Sequence, residues 1–165
     1  MAAFDARYDT PLGQQNLLDA PVLIDEGIDR ARAIAPHDIW RSIVLLRINT
    51  LEAIKMPPLA HEVVDHQAIA TVRQWIESMP GPKVLEPPEI SPRGGNFAKG
   101  IAVTLEQSEP GASIHYTLDG SVPTSSDPVY QEAIQLTGST VVRAKAFKSG
   151  YAKSITAQEV FIIGE

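Results

Sequence analysis

The chain has 165 residues, a net charge of −6 and no cysteine, and 44% of it is hydrophobic. That is enough apolar material for one domain or two small ones. The acidic balance, present in both halves, argues against nucleic acid or an anionic membrane as partner, and no stretch approaches the ~20 apolar residues of a membrane span. The start, Met1-Ala2-Ala3-Phe4-Asp5, has neither the basic residues nor the apolar run of a signal peptide. The lack of cysteine says nothing about compartment, since disulfides are optional at this size.

Residues 1–35 mix polarities without a sustained period and are expected to be irregular chain on a surface, partly disordered. Pro36 and Asp38 then open a short helix through Ile39, Trp40, Ile43, Val44 and Leu46, with Pro36 near the start where its missing N–H costs little. Apolar residues on more than one face predict that this helix is largely buried. Pro57 and Pro58 exclude a helix after it and leave Met56 on a loop. Asp65 is a good N-cap for a second helix, whose stripe is Ile69, Val72, Ile76 and Met79 beside Ala68 and Trp75.

Met79-Pro80-Gly81-Pro82-Lys83 and Pro87-Pro88 form a stretch of helix breakers and stiff extended dipeptides. Beyond it the pattern alternates. Ile101, Val103 and Leu105, then Ile114, Tyr116 and Leu118, then Val142, Ala144 and Ala146, and finally Val160-Phe161-Ile162-Ile163 read as strands. Turn chemistry separates them at Glu109-Pro110-Gly111, Asp119-Gly120-Ser121, Thr137-Gly138-Ser139 and Ser149-Gly150. The fold class is therefore two domains, α then β: a small irregular helical segment (1–80), a Pro-rich linker (81–88) and an antiparallel β-sandwich (84–165).

Few residues invite a chemical role. His61-Glu62-Val63-Val64-Asp65-His66 sets its histidines five apart across a helix N-cap, where a zincin needs them four apart on one face; a solvated loop is the better reading. Asp119-Gly120-Ser121 with Asp127 could hold a cation, but Asp-Gly is first a turn signal. Gly94-Gly95-Asn96 precedes a strand and so fails as a phosphate loop. His37 reads as a polar residue near a helix start and His115 as an outward strand position. Trp40 and Trp75 read as core. Tyr116, Tyr130 and Tyr151 could stack on sugars, although packing in a sandwich is the commoner fate of such residues. No nucleophile with a neighbouring base stands out, so the chain is read as non-enzymatic.

Two resemblances add to this. The run Lys55-Met56-Pro57-Pro58-Leu59-Ala60, Val63-Val64-Asp65, and the stretch ending Val72-Arg73-Gln74-Trp75-Ile76 resemble the C-terminal part of a c-type cytochrome domain. The resemblance implies that Met56 is an axial haem ligand and that the following helix closes the fold. That family anchors haem through Cys-x-x-Cys-His, which a chain without cysteine lacks. The expectation is therefore a truncated cytochrome c-like segment with no cofactor in this chain, haem c belonging only to an intact parent. Within this chain Met56 then reads as an ordinary apolar side chain.

The second segment is similar to the Ig-like, fibronectin-type-III-associated module at the C-terminus of chitobiases and hexosaminidases. The similarity rests on Ile114-His115-Tyr116-Thr117-Leu118-Asp119-Gly120-Ser121-Val122-Pro123-Thr124, Pro128-Val129-Tyr130 and Val142 through Tyr151. It implies a non-catalytic accessory, spacing or adhesive module of a secreted or periplasmic multidomain protein, linked to sugar oxidation or polysaccharide. Its partners would be other domains of that protein and a polysaccharide. The alternative is electron transfer, with Met56 on the iron. Truncation would also leave Trp40, Val44, Ile69, Val72 and Ile76 as an apolar patch, from which homodimerisation or packing on the sandwich is expected.

Overall fold

The computed structural model describes Asp5 and residues 7–56 and 62–164. The chain divides into two compact units, Met1–Pro82 and Lys83–Glu165.

In the first unit, helix α1 runs over Ile43–Ile48 and helix α2 over His66–Ser78. The chain around Asp38 does not continue as helix, against the sequence expectation. Asp38 turns its carboxylate back on its own chain: Oδ1 accepts from the backbone N–H groups of Trp40 and Arg41, both at 3.1 Å. This local side-chain bonding competes with the helical ladder. His37 also sits at a left-handed φ of 59°, which interrupts a right-handed helix. Helix α1 therefore begins only after Ser42, whose hydroxyl is committed to the turn, donating to the Asp38 carbonyl at 2.7 Å and accepting from Ala35 N–H at 2.9 Å.

Asp65 caps α2, its Oδ1 accepting from Gln67 and Ala68 N–H at 3.1 and 3.0 Å. The stripe Ile69, Val72, Ile76 and Met79 packs with Ile34, Leu45, Ile39 and Val44. His37 ties the turn to the far end of α2: its N–H donates to the Ile76 carbonyl at 3.0 Å, and its Nδ1 lies 3.1 Å from the Met79 carbonyl. Of the residues expected to be left bare, Ile76 is buried and Trp40, Val44, Ile69 and Val72 are half-buried within this unit.

The described part of 1–35 is largely irregular and exposed or half-buried, and hydrogen bonds tie parts of it to one another. Asp19 N–H donates to Ile34 carbonyl at 2.8 Å and Ala33 N–H to Ala20 carbonyl at 2.9 Å, while Leu12, Leu17 and Leu18 pack against the core. Trp75, expected inside, is 39% exposed, because it precedes Ile76 by one position and so falls beside the stripe. Trp40 is only half-buried.

The second unit is a sandwich of two sheets. One has the order β1 (Glu89–Ser91), β3 (Ile101–Glu106), β5 (Ile134–Leu136). The other has the order β2 (Gly95–Phe97), β7 (Ala157–Ile163), β6 (Thr140–Phe147), β4 (Ser113–Thr117). The core is Ile90, Val103, Leu105, Ile134 and Leu136 from the first sheet against Ile114, Val142, Ala144 and Phe161 from the second, as the alternation demands. The sheets are not wholly antiparallel: β2 pairs parallel with β7, Asn96 opposite Ile162. Gly94 permits this close approach, since a Cβ there would overlap the Val160 carbonyl oxygen. Its N–H donates to Glu159 Oε2 at 2.8 Å.

Candidate functional site

Met56 is 41% exposed, on the chain after α1 rather than in a core. Its N–H donates to the Arg47 carbonyl at 2.8 Å, and its Sδ lies 3.9 Å from Arg47 Nη1. Arg47 lines a cavity of about 570 Å³, otherwise walled largely by apolar side chains, among them Leu17, Leu18, Val22 and Ile43. Arg47 Nε is buried without an acceptor among the described residues. Nothing in the sequence pattern singled out Arg47; it reads as a solvated helical cation until the fold closes a cavity around it. Pro57, Pro58 and His61 lie outside the described residues. His66, the second histidine of the weighed metal motif, opens α2 as an exposed residue. Among the described residues no three His, Cys, Asp or Glu side chains gather at metal-binding spacing.

In the sandwich, cross-strand pairing puts Ser113 opposite Phe147 and His115 opposite Lys145. These four share the face of the sheet away from the core. His115 holds the outward strand position expected of it, yet it is 7% exposed, and Lys145 is 2% exposed. The chain after β4 returns along its free edge beside His115, Tyr130 N–H donating to Ile114 carbonyl at 2.8 Å and Tyr116 N–H to Pro128 carbonyl at 3.1 Å, while Lys145 Nζ lies 3.5 Å from Thr156 Oγ1. His115 Nδ1 lies 2.8 Å from the Asp127 carbonyl and its Nε2 3.3 Å from Ser113 Oγ. Its ring meets Phe147 edge-on at 5.0 Å.

Beyond Phe147 the turn at Ser149-Gly150 presents Lys148, Tyr151 and Lys153. Glu109 accepts from Lys148 Nζ and from Tyr151 Oη at 3.0 Å. The Lys148 hydrogen bond first, then that of Tyr151, holds the Glu109 carboxyl below its usual range. The same bond to Glu109 raises Lys148. Lys148 and Lys83 stand 4.6 and 5.9 Å from the Tyr151 ring centre. An open cavity of about 530 Å³ is lined here by Ser113, His115, Ser125, Lys148, Tyr151 and Lys153, among others. Of the three tyrosines weighed for sugar contact, Tyr116 and Tyr130 pack on the core, and only Tyr151 reaches this corner.

Asp119 and Asp127 act as turn residues. Asp119 Oδ1 accepts from Ser121 Oγ at 2.6 Å and from Ser121 N–H at 2.9 Å. Asp127 Oδ2 accepts from Thr124 N–H at 2.7 Å and Thr124 Oγ1 at 2.8 Å. Both carboxyls are held below their usual range, Asp119 by Ser121 and Asp127 by Thr124.

The second unit is thus a two-sheet β-sandwich whose polar chemistry lies on the outer face of β4 and β6 and the turns beside it. Residues 92–158 match the family model of the chitobiase/beta-hexosaminidase C-terminal domain. That match runs from just before β2 into the first residues of β7 and contains the whole β4–β6 corner. It lies wholly within the second unit, and nothing in the comparisons supports the cytochrome c resemblance of the first. No curated protein matches the chain.

Proposed function

We propose that the second unit is a non-catalytic accessory module of a secreted or periplasmic multidomain protein, serving to hold neighbouring domains against polysaccharide. The match of 92–158 to the C-terminal domain of chitobiases and hexosaminidases carries this reading. Its charged turn residues agree with it: Asp119, Asp127 and Glu109 are engaged in local hydrogen bonds that shape loops. The test is co-sedimentation of the full chain with insoluble chitin, cellulose and bacterial cell wall, beside an assay on a chromogenic N-acetylglucosaminide. Retention on one of these without turnover is expected. Turnover, or retention on none of them, would overturn the reading.

A second reading, electron transfer through a haem group held in part by the first unit, is favoured by one observation. An exposed Met56 thioether stands beside Arg47, which borders an apolar cavity and has a buried Nε–H without an acceptor. A thioether is a soft axial ligand that raises haem potential, and the guanidinium would take one of the group's carboxylates. With no cysteine in the chain, covalent attachment must be supplied by another segment or partner. Titration with haemin, comparing the chain with Met56→Ala and Arg47→Gln, tests it. A Soret shift lost with Met56→Ala supports the reading; identical spectra for all three chains refute it.

A further inference from the structure

We infer that the cavity of the first unit, between the chain 16–24 and helix α1, is a binding site for a single-headed aliphatic carboxylate. Such a fatty-acid-like molecule would lay its chain on the apolar walls and set its acid group on Arg47. The inference stands apart from the accessory reading of the second unit, and it needs no bond to Met56, as the haem reading does. Three observations converge on it.

The first is the walls. At about 570 Å³ the cavity falls in the range of small-molecule sites. Apart from Arg47 and Asn16, every described residue lining it is apolar, and none is aromatic. Walls of this kind give a planar ring nothing to stack on. A flexible aliphatic chain gains there simply by leaving water.

The second is the rim on a preformed frame. Leu23 and Ile24 line the cavity and are nevertheless 85% and 61% exposed. Two adjacent apolar side chains left wet at a cavity mouth are covered favourably by an apolar ligand. The backbone that carries the wall is already tied down. Leu18 pairs with Ile34 and Pro21 with Arg32, through bonds from Asp19 N–H to the Ile34 carbonyl and from Ala33 N–H to the Ala20 carbonyl. A frame held before the ligand arrives lowers the ordering cost of binding.

The third is a single cation. Arg47 is the one charged residue among the described residues lining the cavity. No Asp or Glu pairs with it among the described residues, whose ion pairs engage Arg7, Arg41, Arg73 and Lys148 instead. Its Nε is buried, so the end that meets a ligand is the Nη pair. The partner there is Met56 Sδ, 3.9 Å from Nη1, and a thioether is a weak acceptor. A carboxylate takes two parallel hydrogen bonds from a guanidinium and outcompetes such a contact.

The experiment is calorimetric titration of the full chain with octanoate, decanoate and dodecanoate below their micelle concentrations. Decanol and decyltrimethylammonium, which keep the chain and change the head, are titrated beside them. Affinity should rise about fourfold for each added CH₂ until the cavity is full, and decanoate should bind about tenfold more tightly than either control. Leu23→Glu changes an exposed side chain and should leave the fold intact, as circular dichroism would verify, yet weaken decanoate about tenfold by setting a like charge at the mouth. Arg47→Gln should bring decanoate down to the level of decanol, and Arg47→Lys should restore part of the difference. Amide shifts on binding should centre on Leu18, Ala33 and Ile43. No binding of any carboxylate, controls that bind as tightly as decanoate, or an affinity unmoved by Leu23→Glu overturns the inference. Met56→Ala should leave decanoate binding in place; loss of binding in that variant alone would refute the role given to Arg47.

Discussion

The Nδ1 of His115 lies 2.8 Å from the carbonyl oxygen of Asp127. A carbonyl can only accept, so Nδ1 carries the proton and donates it. The bond crosses from a strand to the loop that returns along the edge of that strand, and so closes the loop 118–128 on β4. Replacing His115 by Ala leaves the Asp127 carbonyl without this donor and removes the edge contact with Phe147. The expected cost is about 1–3 kcal/mol. Hydrogen exchange should show it locally: the amides of Tyr116 and Tyr130, which bond across that edge, lose protection before those inside β6. Uniform loss through the sandwich would mean that His115 is a core residue and not a loop fastener.

The same loop should loosen in acid. Asp119 and Asp127 are both held below the ordinary carboxylate range, by Ser121 and Thr124 respectively. A carboxyl whose folded pKa is depressed adds stability above its unfolded pKa, and that stability is lost as pH falls through the folded value. The contribution is therefore whole above about pH 5 and declines from about pH 4 downward, starting near the unfolded Asp value. Chemical shifts of Ser121 and Thr124 amides followed from pH 7 to 2 check this. Asp127→Asn should flatten the change at Thr124 and leave that at Ser121.

Phe161 has no exposed surface and stacks on Phe97 with ring centres 5.7 Å apart. Phe161→Ala removes the largest fully buried side chain of the sandwich, with an expected cost of about 3–5 kcal/mol. Val160→Ala, one residue earlier and exposed, should cost no more than about 0.5 kcal/mol. Urea unfolding followed by signals of the second unit measures both. Near-equal costs would contradict the inward and outward faces assigned to β7.

In the first unit, Arg41 Nη1 bonds Asp38 Oδ2 at 2.7 Å, with both side chains about 10% exposed. Arg41 Nε also donates to the Asp29 carbonyl at 3.2 Å. Arg41→Met strands the Asp38 charge and should cost about 3–5 kcal/mol, whereas Arg41→Met with Asp38→Asn should recover part of that. Thermal unfolding read from first-unit signals tests it. A double change as costly as the single one would show that the turn depends on the backbone bonds of Asp38 rather than on its charge.

Much of this was legible in the chain. The alternation of Ile101-Val103-Leu105 and Val142-Ala144-Ala146 leads to strands with those residues inside, because a pleated strand places every second residue on one face. The cap at Asp65 is local chemistry, and local chemistry suffices to start α2. The cavity lined by Arg47 was not legible, since segments distant in sequence form its walls.

What the sequence by itself determined was everything that depends on neighbours a few residues apart: the strand periods, the turns at Asp119-Gly120 and Ser149-Gly150, and the apolar stripe of α2. Tertiary structure alone decided which polar residues lie inside. His115 stands at an outward position of its strand and is buried where a loop returns beside it, its Nδ1 reaching the Asp127 carbonyl. Helix α1 is shortened because the Asp38 turn is secured by Arg41 and Asp29 and tied to the end of α2 through His37. The parallel β2–β7 pair brings together segments more than sixty residues apart. Periodicity reports which face of an element is apolar. It carries no information on what folds over the other face, and that is fixed only when distant segments meet.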